Sequence, residues 1–206
     1  MNTLEIQIKH KIKTWNDFYY TLRKQFLMYE KLEGIENWKD YDFSIDCSED
    51  QIKFKDMLQV RFIEELTEAS EAILENEKEH FLEEITDSVN FFISAFCMLD
   101  INFFNLPNPL NYLSPVKNFQ IPSFNNYSLK VYPVIHNVGC LCNLLKNRPW
   151  AQSNYLVSLV DFNNRLEILW KSFWDFLGYL GIDEKTLFEL IERKYLLNCW
   201  RIKTGY

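Results

Sequence analysis

The sequence predicts an all-α protein. Three observations carry that expectation. Only five Gly and six Pro are spread over 206 residues. Long stretches place apolar residues at the 3.6-residue period of a helix. Helix-start signals stand before three of those stretches, at Thr14, Ser48 and Asp183. Apolar residues make up 48% of the chain, enough for a sizeable core in one domain over 1–206.

The first helix is expected from Thr14, with Asp17 in the capping-box position, through FYYTLRKQFLMYEKLEGI to a stop at Gly34. Gln25 falls mid-helix among apolar neighbours. It is either a surface amide or, offering both donor and acceptor, a reader of a nucleobase edge. Asn37–Cys47, with Trp38, reads as a loop. Ser48–Gln51 (SEDQ) is a second capping box, opening a helix that runs to about Glu79. A turn near Lys78–His80 leads into a third helix ending near Asp100, with His80 on the surface.

Residues 102–126 hold four of the six Pro, many Asn and no helical period, so they read as a long surface connection inside the domain. Tyr127–Asn147 resumes as a helix. Beyond it Lys146 and Arg148 sit beside Trp150: a solvated helix end, or a phosphate clamp with an aromatic wall. Ser153–Tyr179 reads as one long aromatic helix, with Trp170, Phe173, Trp174 and Phe176 buried by a thick core or by a dimer interface. Gly178 and Gly181 end it. Asp183 caps the last helix, expected to about Trp200.

The stretch Arg61–Leu99 carries two acidic pairs, Glu65/Glu68 and Glu84/Asp87, each at i, i+3 and so on one side of a helix. Phe62, Leu66, Ala69 and Ile73 form one apolar stripe; Ile85, Val89, Phe92 and Phe96 form the other. Packed antiparallel, the stripes would bring four carboxylates to one edge of the seam. Such charges repel unless a hard divalent cation sits among them, and oxygen-only ligands suit Mg²⁺. The other reading is two solvated acidic faces. In the last helix Lys194, Asn198 and Arg201 fall at i, i+4 and i+7, again one face: a comb for a triphosphate, or a solvated basic face.

The net charge of −7 argues against a general nucleic-acid binder, though a bound metal would still permit a phosphorylated small molecule. The longest apolar run, Val89–Leu99, is too short to span a bilayer. No secretory signal opens the chain, and five Cys without CxxC spacing read as buried reduced thiols, so a cytoplasmic location is expected.

The closing segment KYLLNCWRIKTGY resembles the tail motif of the dimeric all-α dUTPases, K-N-x-x-N-x-x-R-Q-x-x-G-Y. Lys194, Asn198, Arg201, Gly205 and Tyr206 match in register. EELTE (64–68) with EEITDSVNFF (83–92) resembles the ExxE…ExxD signature of the same superfamily, which includes MazG-like and dCTP-hydrolysing pyrophosphohydrolases. RKQFLMYEKL resembles its first-helix motif through Gln25. The chain departs from the pattern at Met28 and Tyr29, where Leu-Asp is usual, at Asn90, often His, and at Tyr195 and Ile202.

The resemblance implies a helical bundle of the all-α NTP pyrophosphohydrolase type, acting as a homodimer on a small-molecule nucleotide, without nucleic acid or membrane. The implied reaction is Mg²⁺-dependent hydrolysis of dUTP to dUMP and pyrophosphate. Glu65, Glu68, Glu84 and Asp87 would hold the metal, with Glu65 also the general base. Gln25, Lys146, Arg148, Lys194, Asn198, Arg201 and Tyr206 would bind substrate. The departures cluster around base recognition and leave dCTP or a broad nucleotide set open. A helical interaction protein on an inactive version of the fold is the non-enzyme alternative.

Overall fold

The computed structural model describes residues 11–32, 44, 46–99, 103–113, 119–145 and 158–205. Their regular elements are all helical. In order they are α1 (Trp15–Leu32), α2 (Ser48–Lys55), a π-helical stretch (Asp56–Phe62), α3 (Ile63–Glu75), α4 (Lys78–Met98), two short 3₁₀ turns, α5 (Phe124–Leu144), α6 (Leu159–Tyr179) and α7 (Glu184–Thr204).

Helix α4 is the hub. It packs against α3, the π-helical stretch, α1 and α7, while α5 packs on α6 and α3. Both expected stripes, Phe62–Leu66–Ala69–Ile73 and Ile85–Val89–Phe92–Phe96, are buried. They face each other because α3 and α4 are joined by a two-residue turn at Asn76–Glu77. Asn76 takes the left-handed conformation (φ 57°), and the Glu77 N–H closes the helix end on the Ala72 carbonyl at 2.9 Å. The turn thus falls before Lys78–His80, which form the first turn of α4 instead. Asn tolerates positive φ better than other non-glycine residues, and that ends the helix earlier than Glu79.

Two of the three expected start signals hold in detail. The Asp17 N–H bonds to Thr14 Oγ1 (3.2 Å) while Thr14 N–H donates back to Asp17 Oδ2 (3.0 Å). Asp183 Oδ1 accepts from the Thr186 N–H at 2.7 Å. At Ser48 the helix begins as expected, but the N-cap is Cys47, which makes no side-chain cap; Asp50 accepts the Ser44 N–H instead. Helix α5 starts at Phe124, one turn before Tyr127, because Ser123 caps it. Helix α6 starts at Leu159, with Ser158 as cap, and Ser153, where its start is expected, lies outside the described residues. Helix α7 runs one turn past Trp200, to a left-handed Gly205.

The rings of Phe162, Trp170, Phe173, Trp174 and Phe176 on α6 are buried within this chain, while Tyr179 at its end is exposed. Trp170 and Trp174 stand 5.4 Å apart edge-to-face, Phe173 meets Phe92 at 4.2 Å, and Trp174 meets Trp15 of α1 at 5.5 Å. The aromatic content of α6 is therefore accounted for by the core. Part of the Pro-rich connection is pinned to the same helix: Trp170 Nε1 donates to the Pro107 carbonyl at 2.9 Å. At Gly178 a Cβ would stand 1.9 Å from the Tyr112 carbonyl oxygen, so this residue is required by the close approach of backbone. The helix stop is Gly181 (φ 75°).

Among the described residues the cysteines form no disulfide; Cys97 and Cys142 are buried, the other three half-buried, so the expectation of burial holds for two of five. No described helix is long and apolar enough to cross a membrane. Gly34, Trp38, Lys146, Arg148, Trp150 and Tyr206 lie outside the described residues.

Candidate metal and anion cavity

The α3–α4 seam delivers the acidic residues to one place. Carboxylate oxygens of Glu65, Glu84 and Asp87 all lie within 4.8 Å of one another. Glu84 is 7% exposed. Glu68, one turn along α3, is half-buried beside the charge of Glu84. The electrostatics record the crowding. Burial, then a hydrogen bond to Glu84 and the charges of Asp87, Glu84 and Glu68, push the Glu65 carboxyl from 4.5 up to about 9. Burial and then Glu84 push Glu68 upward. Burial raises Asp87 too, against the opposing pull of Lys194. A donor set of carboxylate oxygens alone, short of positive charge, fits a hard divalent cation.

Lys194 supplies part of that charge from α7. Its ammonium contacts Asp87 Oδ2 and lies 3.2 Å from Glu83 Oε1. Burial works against the charge, but the two carboxylates hold its pKa above the ordinary lysine value. His80, expected on the surface, is half-buried and bridges Glu77 Oε2 (3.4 Å) and Glu84 Oε1 (3.0 Å). It is the residue that orients Glu84. It stands one turn before Glu84 on α4, at the i, i+4 spacing where helical side chains meet.

Glu65 and Asp87 open onto a cavity of about 570 Å³. Gln25, Phe26 and Tyr29 line it from α1; Asn90, Phe91, Ser94 and Met98 from α4; and Lys194, Asn198 and Arg201 from α7. The fourth side is Ile52, Lys53, Asp56, Met57 and Arg61, from α2 and the π-helical stretch. Gln25, Lys194, Asn198 and Arg201 are thus brought together with the acids as expected. Gln25 and Asn198 are 5% and 3% exposed, so neither is a surface amide.

Two amide oxygens at this cavity are buried without a hydrogen-bond partner among the described residues, Gln25 Oε1 and Asn90 Oδ1. The orientation of Asn90 is set by its Nδ2, which donates to Asp87 Oδ1 at 3.3 Å. A buried acceptor left unmatched costs roughly 1–3 kcal/mol, so such groups call for a partner.

Sequence reasoning named Asn90 and Tyr29 only as departures from the resembled motifs around base recognition, and did not place Lys53, Asp56 or Arg61 in the site. For the last three there was a signal. Phe54, Leu58, Phe62 and Leu66 repeat strictly every four residues and are all buried. Lys53, Met57, Arg61 and Glu65 repeat the same way and all line the cavity. In an α-helix each four-residue step drifts about 40° round the axis. The slower winding of a π-helix, with more residues per turn, holds both series in line.

No protein-family model, curated protein or solved structure matches this chain.

Proposed function

We propose that this protein is a Mg²⁺-dependent pyrophosphohydrolase that cleaves a deoxynucleoside triphosphate to the monophosphate and pyrophosphate. The observation that carries the reading is one cavity onto which Glu65 and Asp87 open from a cluster of three mutually close carboxylates, with Lys194 and Arg201 as cations and buried amides at Gln25 and Asn198. That combination offers a place for a metal, for phosphates and for a base. The likeness to dimeric dUTPases makes dUTP the first substrate to test, and makes a homodimer the assembly to test by sedimentation.

In this reading Glu65, Glu84 and Asp87, the three mutually close carboxylates, hold the metal, with Glu68, which stands outside that trio, completing the set. Mg²⁺, when bound, supplies positive charge against the charge that develops on the phosphates. Glu65, on the cavity wall beside Asp87, would in its ionised form take a proton from the attacking water, and a bound cation would favour that form. His80 keeps Glu84 turned toward the cluster. Lys194 and Arg201 grip phosphate oxygens, the guanidinium in bidentate fashion. Phe26, Met57, Phe91 and Met98 give the base an apolar slot.

A second reading concerns the base. Among the described residues Gln25 Oε1 and Asn90 Oδ1 are both acceptors without donors. Uracil has one ring N–H to offer, whereas the exocyclic amine of cytosine has two. The unmatched oxygens favour dCTP on this count.

The test is pyrophosphate release from a panel of dNTPs and NTPs, with Mg²⁺ and with EDTA. Metal-dependent release from dUTP or dCTP far above the rest is the expected result. No release from any nucleotide would overturn the proposal. Glu68→Gln is expected to abolish the metal-dependent turnover with the fold intact.

A further inference from the structure

Arg61 and Asp56 stand five residues apart, yet Arg61 Nε donates to Asp56 Oδ2 at 3.2 Å. On an α-helix positions i and i+5 lie about 140° apart, on different faces. In a π-helix, which hydrogen-bonds i to i+5, residue i+5 comes roughly one turn above residue i. The pair exists because of the winding, and the winding turns both residues to the cavity.

Resting on the reading above that this cavity takes a nucleotide, we infer that Arg61 is a polyphosphate-binding residue, delivered by the π-helical stretch and held in place by Asp56 while no anion is bound. Three observations support it. First, the contact with Asp56 uses only Nε. Among the described residues neither Nη nitrogen has a hydrogen-bond partner, and the side chain is 50% exposed, so the fork that grips phosphate bidentately is open. Second, Arg61 lies one helical turn, about 6 Å, before Glu65. An anion on Arg61 is therefore next to whatever the carboxylates hold. Third, the ring of Phe91, 6.0 Å from Cζ, forms an apolar backing for the guanidinium. Lys194 and Arg201 enter from α7, so a polyphosphate between them and Arg61 meets cations from two separate elements.

The bland alternative is a half-exposed ion pair of little consequence. The two readings differ in sign at Asp56. If Asp56 competes with phosphate for Arg61, then Asp56→Asn strengthens anion binding. If the pair only staples the helix, the same change weakens the fold and leaves binding alone.

The experiment is calorimetric titration of the full chain with inorganic tripolyphosphate in the presence of Mg²⁺, with Tm recorded for every variant. Arg61→Gln is expected to weaken binding about 10- to 100-fold. Arg61→Lys recovers only part of the loss, because an ammonium lacks the fork. Asp56→Asn tightens binding. Unchanged binding in Arg61→Gln, with a lowered Tm in it and in Asp56→Asn, would overturn the inference, as would a wild-type chain that does not bind tripolyphosphate. dNTP turnover by the same wild-type preparation separates the two ideas. Turnover with binding indifferent to Arg61 sinks only the arginine. Arg61-dependent binding without turnover of any nucleotide sinks only the hydrolase.

Discussion

The ammonium of Lys194, near the end of the chain, is bonded to Asp87 of α4, 107 residues earlier, and shares its charge with Glu83 at 3.2 Å. The contact closes the acidic cluster from α7 and leaves Lys194 at the cavity, where phosphates would arrive. Lys194→Ala removes a charge-assisted bond worth roughly 1.5–3 kcal/mol. KM for the preferred dNTP is expected to rise about 10- to 100-fold, while Mg²⁺ affinity holds or increases because Asp87 loses a competitor. Steady-state kinetics and a Mg²⁺ titration check both parts. An unchanged KM with a lowered Tm would make Lys194 a tie between helices and nothing more.

Glu65 predicts how the metal-free protein responds to pH. Its carboxyl, ordinarily near 4.5, is held up to about 9 in the fold, chiefly by burial. Between those values the folded chain binds more protons than the unfolded chain. The contribution of Glu65 to stability is therefore fullest below about 4.5 and is lost as pH rises through about 9. Asp87 and Glu68, also raised, add the same sign. In EDTA, Tm is expected to fall from pH 5 to pH 9. Glu65→Gln should shrink that slope and raise Tm at pH 8 while abolishing turnover. Mg²⁺ should flatten the slope of the wild type. A slope that the variant leaves intact would place the strain elsewhere than at Glu65.

These sites differ in how far the sequence disclosed them. Periodicity gave the helices and the two stripes of the α3–α4 seam, because burial of Phe62, Leu66, Val89 and Phe92 follows directly from their spacing. The i, i+3 acids followed from the seam, and Lys194, Asn198 and Arg201 from their common face. Helix starts at Phe124 and Leu159 were missed where a single Ser outweighed the apolar pattern, and the α3–α4 turn where one Asn accepts positive φ. Arg61 was missed because a reading at 3.6 residues per turn carries it away from Lys53. The strict four-residue repeat was visible, but its consequence depends on a π-helical winding that local propensities do not announce. His80 was missed for the same kind of reason: its partner Glu84 is local, but the burial of Glu84 is a tertiary fact.

Gly178 gives a prediction about the fold alone. The Tyr112 carbonyl oxygen lies 1.9 Å from where a Cβ would stand, and backbone cannot yield as a side-chain tip does. Gly178→Ala must push the Asn108–Leu113 turn off α6, straining the bond between Trp170 Nε1 and Pro107. Overpacking of this kind costs about 1–3 kcal/mol. Thermal unfolding should show a clear drop in Tm. Gly139, where an added Cβ meets nothing within 4 Å, is the control, and Gly139→Ala is expected to be neutral or mildly stabilising. Equal Tm values for the two variants would mean the connection does not press on α6.

Gln25 separates stability from recognition. Its Oε1 is buried and has no hydrogen-bond partner among the described residues, so that atom carries a desolvation cost without a bond to offset it. Replacing it with an apolar side chain of similar length removes the penalty, and Gln25→Met is expected to leave Tm unchanged or raise it. A ligand donor that bonds to Oε1 loses its partner in the same variant. KM for the preferred nucleotide should then rise about 10-fold, and the preference between dUTP and dCTP should shrink, because discrimination by a hydrogen bond vanishes with the acceptor. kcat should change little, since the carboxylates at Glu65 and Asp87 are untouched. A fall in Tm with unchanged preference would show that Gln25 serves the packing of α1, and base selection would pass to Asn90, whose own acceptor is also unmatched.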